Sequence, residues 1–98
     1  MDCEINDANL DRMARCFKVM AHPLRLKILT AIHNQELNVS ELVAQVGSSQ
    51  SNISQHLSLL RDKDILFSKR KANKVYYSLG RCNVAELLTL TNGMFIEK

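Results

Sequence analysis

The sequence predicts a mainly α fold with a small β-hairpin, about five helices and a two-stranded extension, in 98 residues. Three observations carry this. One proline, three glycines and sparse aromatics favour helix. Apolar residues recur at helical spacing through most of the chain before Asp64 and again near its end. Just after Asp64 the pattern changes to two short runs rich in β-branched and aromatic residues. The length suits one domain with one modest core, so 1–98 is read as a single unit.

Residues 1–6 form a polar arm. Asn6 or Asp7 caps a first helix from about Ala8 to Met20, striped by Leu10, Met13, Ala14, Phe17 and Ala21, with Cys16 on its flank. Ala21-His22-Pro23 is a break, because proline disfavours helix in the residue before it and suits a first helical turn. His22 is expected to support that turn. A second helix follows from about Pro23 to His33, with Leu24, Ile28, Leu29 and Ile32 inward and Arg25 and Lys27 outward. Asn34-Gln35-Glu36 is a turn, and Leu37-Asn38-Val39 a very short strand. Asn38 and Glu41 have the spacing of a capping box, so a third helix runs to about Val46, buried by Leu42, Val43 and Val46. Gly47 stops it, and Ser48 or Ser49 caps the next. Two helices joined tightly at a glycine make a helix-turn-helix.

The fourth helix organises the chain. Ile53, Leu57 and Leu60 share one side. The other carries Ser51, Gln55, Ser58 and Asp62, edged by Asn52 and Ser54. Ser and Asn are mediocre helix formers, so local stability does not explain this face. Entry into a DNA major groove does, since short side chains approach closely and Gln or Asn hydrogen-bond to adenine. The blander alternative is a solvated polar face. Ile65–Arg70 and Lys74–Leu79 then read as strands joined at Lys71-Ala72-Asn73. Lys69, Arg70, Lys71 and Lys74 make the tip basic, suited to phosphate or minor-groove contact, or to guarding an edge against aggregation. The DNA-binding candidates are Ser51, Asn52, Ser54, Gln55, His56, Arg61, Lys69, Arg70 and Lys74.

A last helix spans about Asn83 to Phe95, striped by Val84, Leu87, Leu88, Thr91, Met94 and Phe95. The first and last helices either complete a monomer's core or pack across a twofold axis. The homodimer is the stronger reading, because one small helix-turn-helix seldom binds tightly alone, and two recognition helices ~34 Å apart match one DNA turn. Its interface candidates are Leu10, Met13, Phe17, Val84, Leu87, Leu88, Thr91 and Phe95.

The net charge of +3 permits nucleic-acid binding without demanding it. There is no signal-peptide pattern and no apolar run near the ~20 residues that span a bilayer, so no membrane partner is expected. Three cysteines are an odd number without a framework, which favours reduced thiols and a cytoplasmic location. The carboxylates are scattered and no nucleophile–base pairing is suggested, so an enzyme is not expected. His22, His33 and His56 lack ligand spacing. A protein-interaction domain with no inducer site is the alternative function.

Four segments jointly resemble the ArsR/SmtB family of winged helix-turn-helix repressors: Ala21–Leu29, Glu36–Leu42, Ser51–Leu57 and Val75–Leu79. The resemblance covers nearly the whole chain and implies a homodimer that binds double-stranded operator DNA and releases it when an inducer arrives. It also implies where an inducer would bind. Relatives with cysteines in the third helix have them at the positions of Asn38 and Ser40, which are poor ligands for soft metals. A last-helix metal site would need ligands where Arg81, Asn83, Met94 and Glu97 stand, and only Glu97 qualifies. Sulfide-responsive relatives carry a cysteine where this chain has Thr30. Cys3, Cys16 and Cys82 are left as metal or redox candidates, Cys82 activated by a helix N-terminus and by Arg81. The cofactor stays open: a metal or metalloid ion held by cysteines, a different ligand, or none, with the thiols forming a redox disulfide or acting as packing residues.

Overall fold

A computed structural model describes residues 6–33, 35–80 and 84–94, the last segment without the side chains of Val84 and Ala85. The order is α1 (Asp7–Met20), α2 (Pro23–Ile32), β1 (Leu37–Asn38), α3 (Val39–Val46), α4 (Gln50–Asp62), β2 (Leu66–Lys71), β3 (Lys74–Leu79) and α5 (Val84–Met94).

Short-range signals fix the helix ends. Asn6 caps α1, its Oδ1 accepting from the Asn9 amide at 2.9 Å. Pro23 opens α2, and His22 caps it, its Nδ1 accepting from the Leu24 amide at 3.1 Å. Asn38 and Glu41 form the expected capping box, with both bonds at 2.9 Å. Gly47 ends α3 at φ +85°, a left-handed conformation that glycine adopts without strain. Ser49 caps α4, accepting from the Asn52 amide at 3.1 Å.

Met20, Ile28, Leu29, Ile32, Leu37, Leu42, Ile53, Leu57, Leu60, Ile65 and Leu66 form the core. Ile53, Leu57 and Leu60 are fully buried, and burying each such side chain contributes roughly 1.5–3 kcal/mol. α4 is thus bolted down by one face, leaving the other to solvent.

Three expectations are corrected. The extension is a three-stranded antiparallel sheet of order β1-β3-β2, because Leu37 and Asn38 pair with Tyr77 and Tyr76. Arg25 does not point outward. It is part-buried, since Arg25, Ile28, Leu29 and Ile32 follow the i, i+3, i+4, i+7 spacing of one inward stripe. Ile65 is a buried turn residue rather than the first residue of β2, and its carbonyl accepts from the Gly80 amide at 2.7 Å. A Cβ on Gly80 would lie 2.5 Å from the Asp64 carbonyl oxygen, so only glycine passes this crossing unchanged.

Candidate nucleic-acid interface

The solvent side of α4 is built from short polar groups on a rigid base. Ser51, Asn52, Gln55 and Ser58 are exposed, and Ser54 is half-buried at the edge. Asn52 is oriented by its own side-chain amide, which donates to Ser48 Oγ at 2.9 Å. Arg61 lies in the last turn, 3.6 Å from Asp62, in an exposed pair worth little to stability.

His56 is half-buried and sits off this open row. Its Nδ1 accepts from Arg25 Nε at 3.1 Å, and its ring centroid is 4.7 Å from that of His22. Burial, then the neighbouring His22 and Arg25, hold its pKa below the ordinary histidine value. Sequence reasoning missed this cluster. The readable sign was Arg25 at the head of an apolar stripe.

Cross-strand register divides the basic hairpin. Lys69 pairs with Tyr76 and Lys71 with Lys74, so these lysines share one face of the sheet. Arg70 pairs with Val75 and projects from the opposite face. Lys69 and Lys74 are therefore brought together, and Arg70 is set apart from them. Lys71 reaches across β3 to an ion pair with Glu36 and lies 5.4 Å from the Tyr76 ring centroid. The hydrogen bond from Lys71 lowers the Glu36 pKa, helped by the charges of Lys71 and Lys69, and the same bond raises that of Lys71. This link, 35 residues long in sequence, was also missed.

A second surface is apolar. Leu10, Met13 and Phe17 are 46%, 43% and 48% exposed along α1. Phe17 joins Met20, Leu26, Leu87, Leu88 and Thr91 around a groove of about 280 Å³. Leu87 and Leu88 are half-buried against the core, and Leu90 and Met94 stand out from α5. The Val84 side chain and Phe95 lie outside the described residues.

Of the thiols, Cys16 is half-buried against the core, while Cys3 and Cys82 lie outside the described residues, as do Arg81, Asn83 and Glu97. Among the described residues, no three His, Cys, Asp or Glu side chains gather as a metal site. Asn38 and Thr30 have structural partners: Asn38 caps α3, and Thr30 Oγ1 donates to the Leu26 carbonyl at 2.8 Å. Among the described residues, no helix is long and apolar enough to cross a membrane.

Residues 22–66 match the family model described as "Bacterial regulatory protein, arsR family". The chain is similar to the transcriptional repressor PagR of Bacillus anthracis, 34% identical over 93 residues, covering 94% of this chain and 93% of PagR. A probable mercury resistance operon repressor of Streptomyces lividans is 38% identical over 87 residues, covering 89% of this chain and 70% of that protein. Among solved structures, HlyU from Vibrio cholerae superposes with a TM-score of 0.86 at 30% identity, covering 94% of this chain and 100% of HlyU.

Proposed function

This chain belongs to the bacterial ArsR family of regulatory proteins, and on that premise we propose that it is a homodimeric repressor that releases its operator in response to a thiol-reactive, metal or redox signal. Family membership makes it a winged-helix DNA-binding transcription regulator and not an enzyme. The observation that carries the reading is the α4 face: Ser51, Asn52, Gln55 and Ser58 exposed on a helix whose opposite side is fully buried. Such a helix can enter a groove without deforming. Lys69 and Lys74 on one face of the wing supply phosphate contacts, with Arg70 reaching phosphate from the other face.

The exposed Leu10, Met13 and Phe17 row supports dimerisation through α1, with α5 beside it. An apolar row of this kind is costly to leave in water. The similarity to a probable mercury resistance operon repressor supports a soft-metal or thiol signal, with Cys16, Cys3 and Cys82 as the candidate receptors.

The test is Gln55→Ala, measured on a duplex enriched by the protein from a random pool and on random duplex of equal length. Preference for the enriched duplex should fall by about fivefold or more, the discrimination of one good base contact, while random binding stays nearly constant. An unchanged ratio would remove Gln55 from the base-reading row.

A further inference from the structure

Arg25 joins three elements. Its Nη1 donates to the Val19 carbonyl at 2.8 Å, in the last turn of α1, where helix carbonyls lack intrahelical partners. Its Nε donates to His56 Nδ1 on α4. Its own backbone lies in the first turn of α2, beside the cap His22, whose ring lies against that of His56. A guanidinium is a rigid planar fork that holds both directions at once, which a lysine does not.

The bond also selects the His56 tautomer. A nitrogen that accepts from Arg25 carries no proton, so neutral His56 has its proton on Nε2. We propose that Arg25 is a positioning residue for DNA recognition: it ties α4 to the end of α1 through neutral His56, and protonation of His56 opens the tie. This inference rests on the reading of α4 as the recognition helix. Protonated His56 turns Nδ1 into a donor facing a donor, and adds a cation beside Arg25. Among the described residues, the charged or titratable groups acting on the ring are His22, from the α1–α2 connection, and Arg25, from α2. Both oppose its protonation, so the tie is closed at neutral pH and opens on acidification. Small changes at such a joint are transmitted because packed elements have discrete arrangements.

The experiment uses the enriched and random duplexes described above, at constant ionic strength from about pH 7.5 down to about pH 4.5, which reaches below the ordinary histidine range because burial holds the His56 pKa down. For the natural protein, preference for the enriched duplex should fall by about fivefold or more on acidification, the lower end of what one base contact discriminates. Arg25→Gln should show low preference throughout, with a flat profile. His56→Asn keeps an acceptor for Arg25 and does not titrate, so it should be flat and retain more preference than His56→Phe. By NMR, His56 should titrate below the ordinary histidine value and move upward in Arg25→Gln. A natural preference independent of pH, or Arg25→Gln with the natural ratio and profile, overturns the proposal. If Arg25→Gln fails to fold, His56→Asn and His56→Phe decide it, and equal behaviour of the two overturns it. Gln55→Ala separates the two levels: if it lowers the preference while the Arg25 and His56 variants do not, α4 reads DNA and the positioning role is wrong. If Gln55→Ala also changes nothing, the recognition register itself fails.

Discussion

Replacing Asn38 by Ala removes half of the α3 capping box. The bond removed is that from the Glu41 amide to Asn38 Oδ1, while the bond from the Asn38 backbone to Glu41 Oε1 is available to either residue. A typical cap is worth ~0.5–2 kcal/mol. Asn38 is only 6% exposed, so water cannot readily replace the missing acceptor. The Glu41 amide that loses its acceptor is part-buried, so the ~1–3 kcal/mol cost of a buried amide without a partner is an upper bound for it. These describe one event and are not summed, so the expected loss is about 2 kcal/mol. At about 4–8 °C per kcal/mol for a domain of this size, Tm should fall by about 8–16 °C. The assay is thermal unfolding by circular dichroism at fixed protein concentration, because assembly would shift Tm by mass action. Asn38→Asp keeps the acceptor and should lie near the natural protein. Ser40→Ala, on the exposed side of α3, should change stability by less than ~0.5 kcal/mol. A fall of less than about 3 °C for Asn38→Ala would mean that the cap does not hold α3.

Neutralising Lys69, Arg70 and Lys74 together should weaken binding to all duplexes and flatten the log–log salt slope by roughly 0.9 for each phosphate no longer neutralised; an unchanged slope would remove the wing from the interface. The triple variant Cys3→Ser, Cys16→Ser, Cys82→Ser should stay on DNA when arsenite, Cd²⁺ or a mild oxidant releases the natural protein; release of both at equal doses would make the cysteines packing residues. The lowered Glu36 pKa makes its contribution to stability present above the ordinary carboxylate range and lost as pH falls through the lowered value, whereas the Lys71 contribution holds below the ordinary lysine value and is lost as pH rises through the raised one. Glu36→Gln should therefore flatten the acid limb of urea midpoint against pH; an unaltered limb would show that the exposed pair is screened away.

What was legible in the sequence was local. Asn38 with Glu41, Gly47, Ser49 and the Ile53–Leu57–Leu60 stripe act within four residues, so composition and spacing reveal them. What was hidden joins distant segments. The short strand at Leu37-Asn38 was legible, but its place in the sheet was not, because the residues it pairs with, Tyr77 and Tyr76, lie some forty positions on. Arg25 reads as solvent-facing by its charge although it stands on the inward stripe, and its partner His56 is 31 residues away. Arg70 seemed one of a single basic cluster, but the two-residue alternation of a strand turns it from Lys69 and Lys71. Other candidate positions, Cys3, Cys82 and Phe95 among them, lie outside the described residues.

The two residues of β1 bind the wing to the recognition motif more closely than their length suggests. Asn38 is both the last residue of β1, opposite Tyr76, and the cap of α3. Peeling the wing from β1 therefore frays the start of α3, and melting α3 releases the wing's inner edge. The chain between the paired residues includes all of α3 and α4, so this pairing closes a loop of chain around the helix-turn-helix. The wing and the two helices should lose hydrogen-exchange protection as one cooperative unit rather than as an arm and a body. On the proposed reading of the wing as a phosphate contact, a hairpin held in this way gives up less chain entropy on binding than one that must first be ordered.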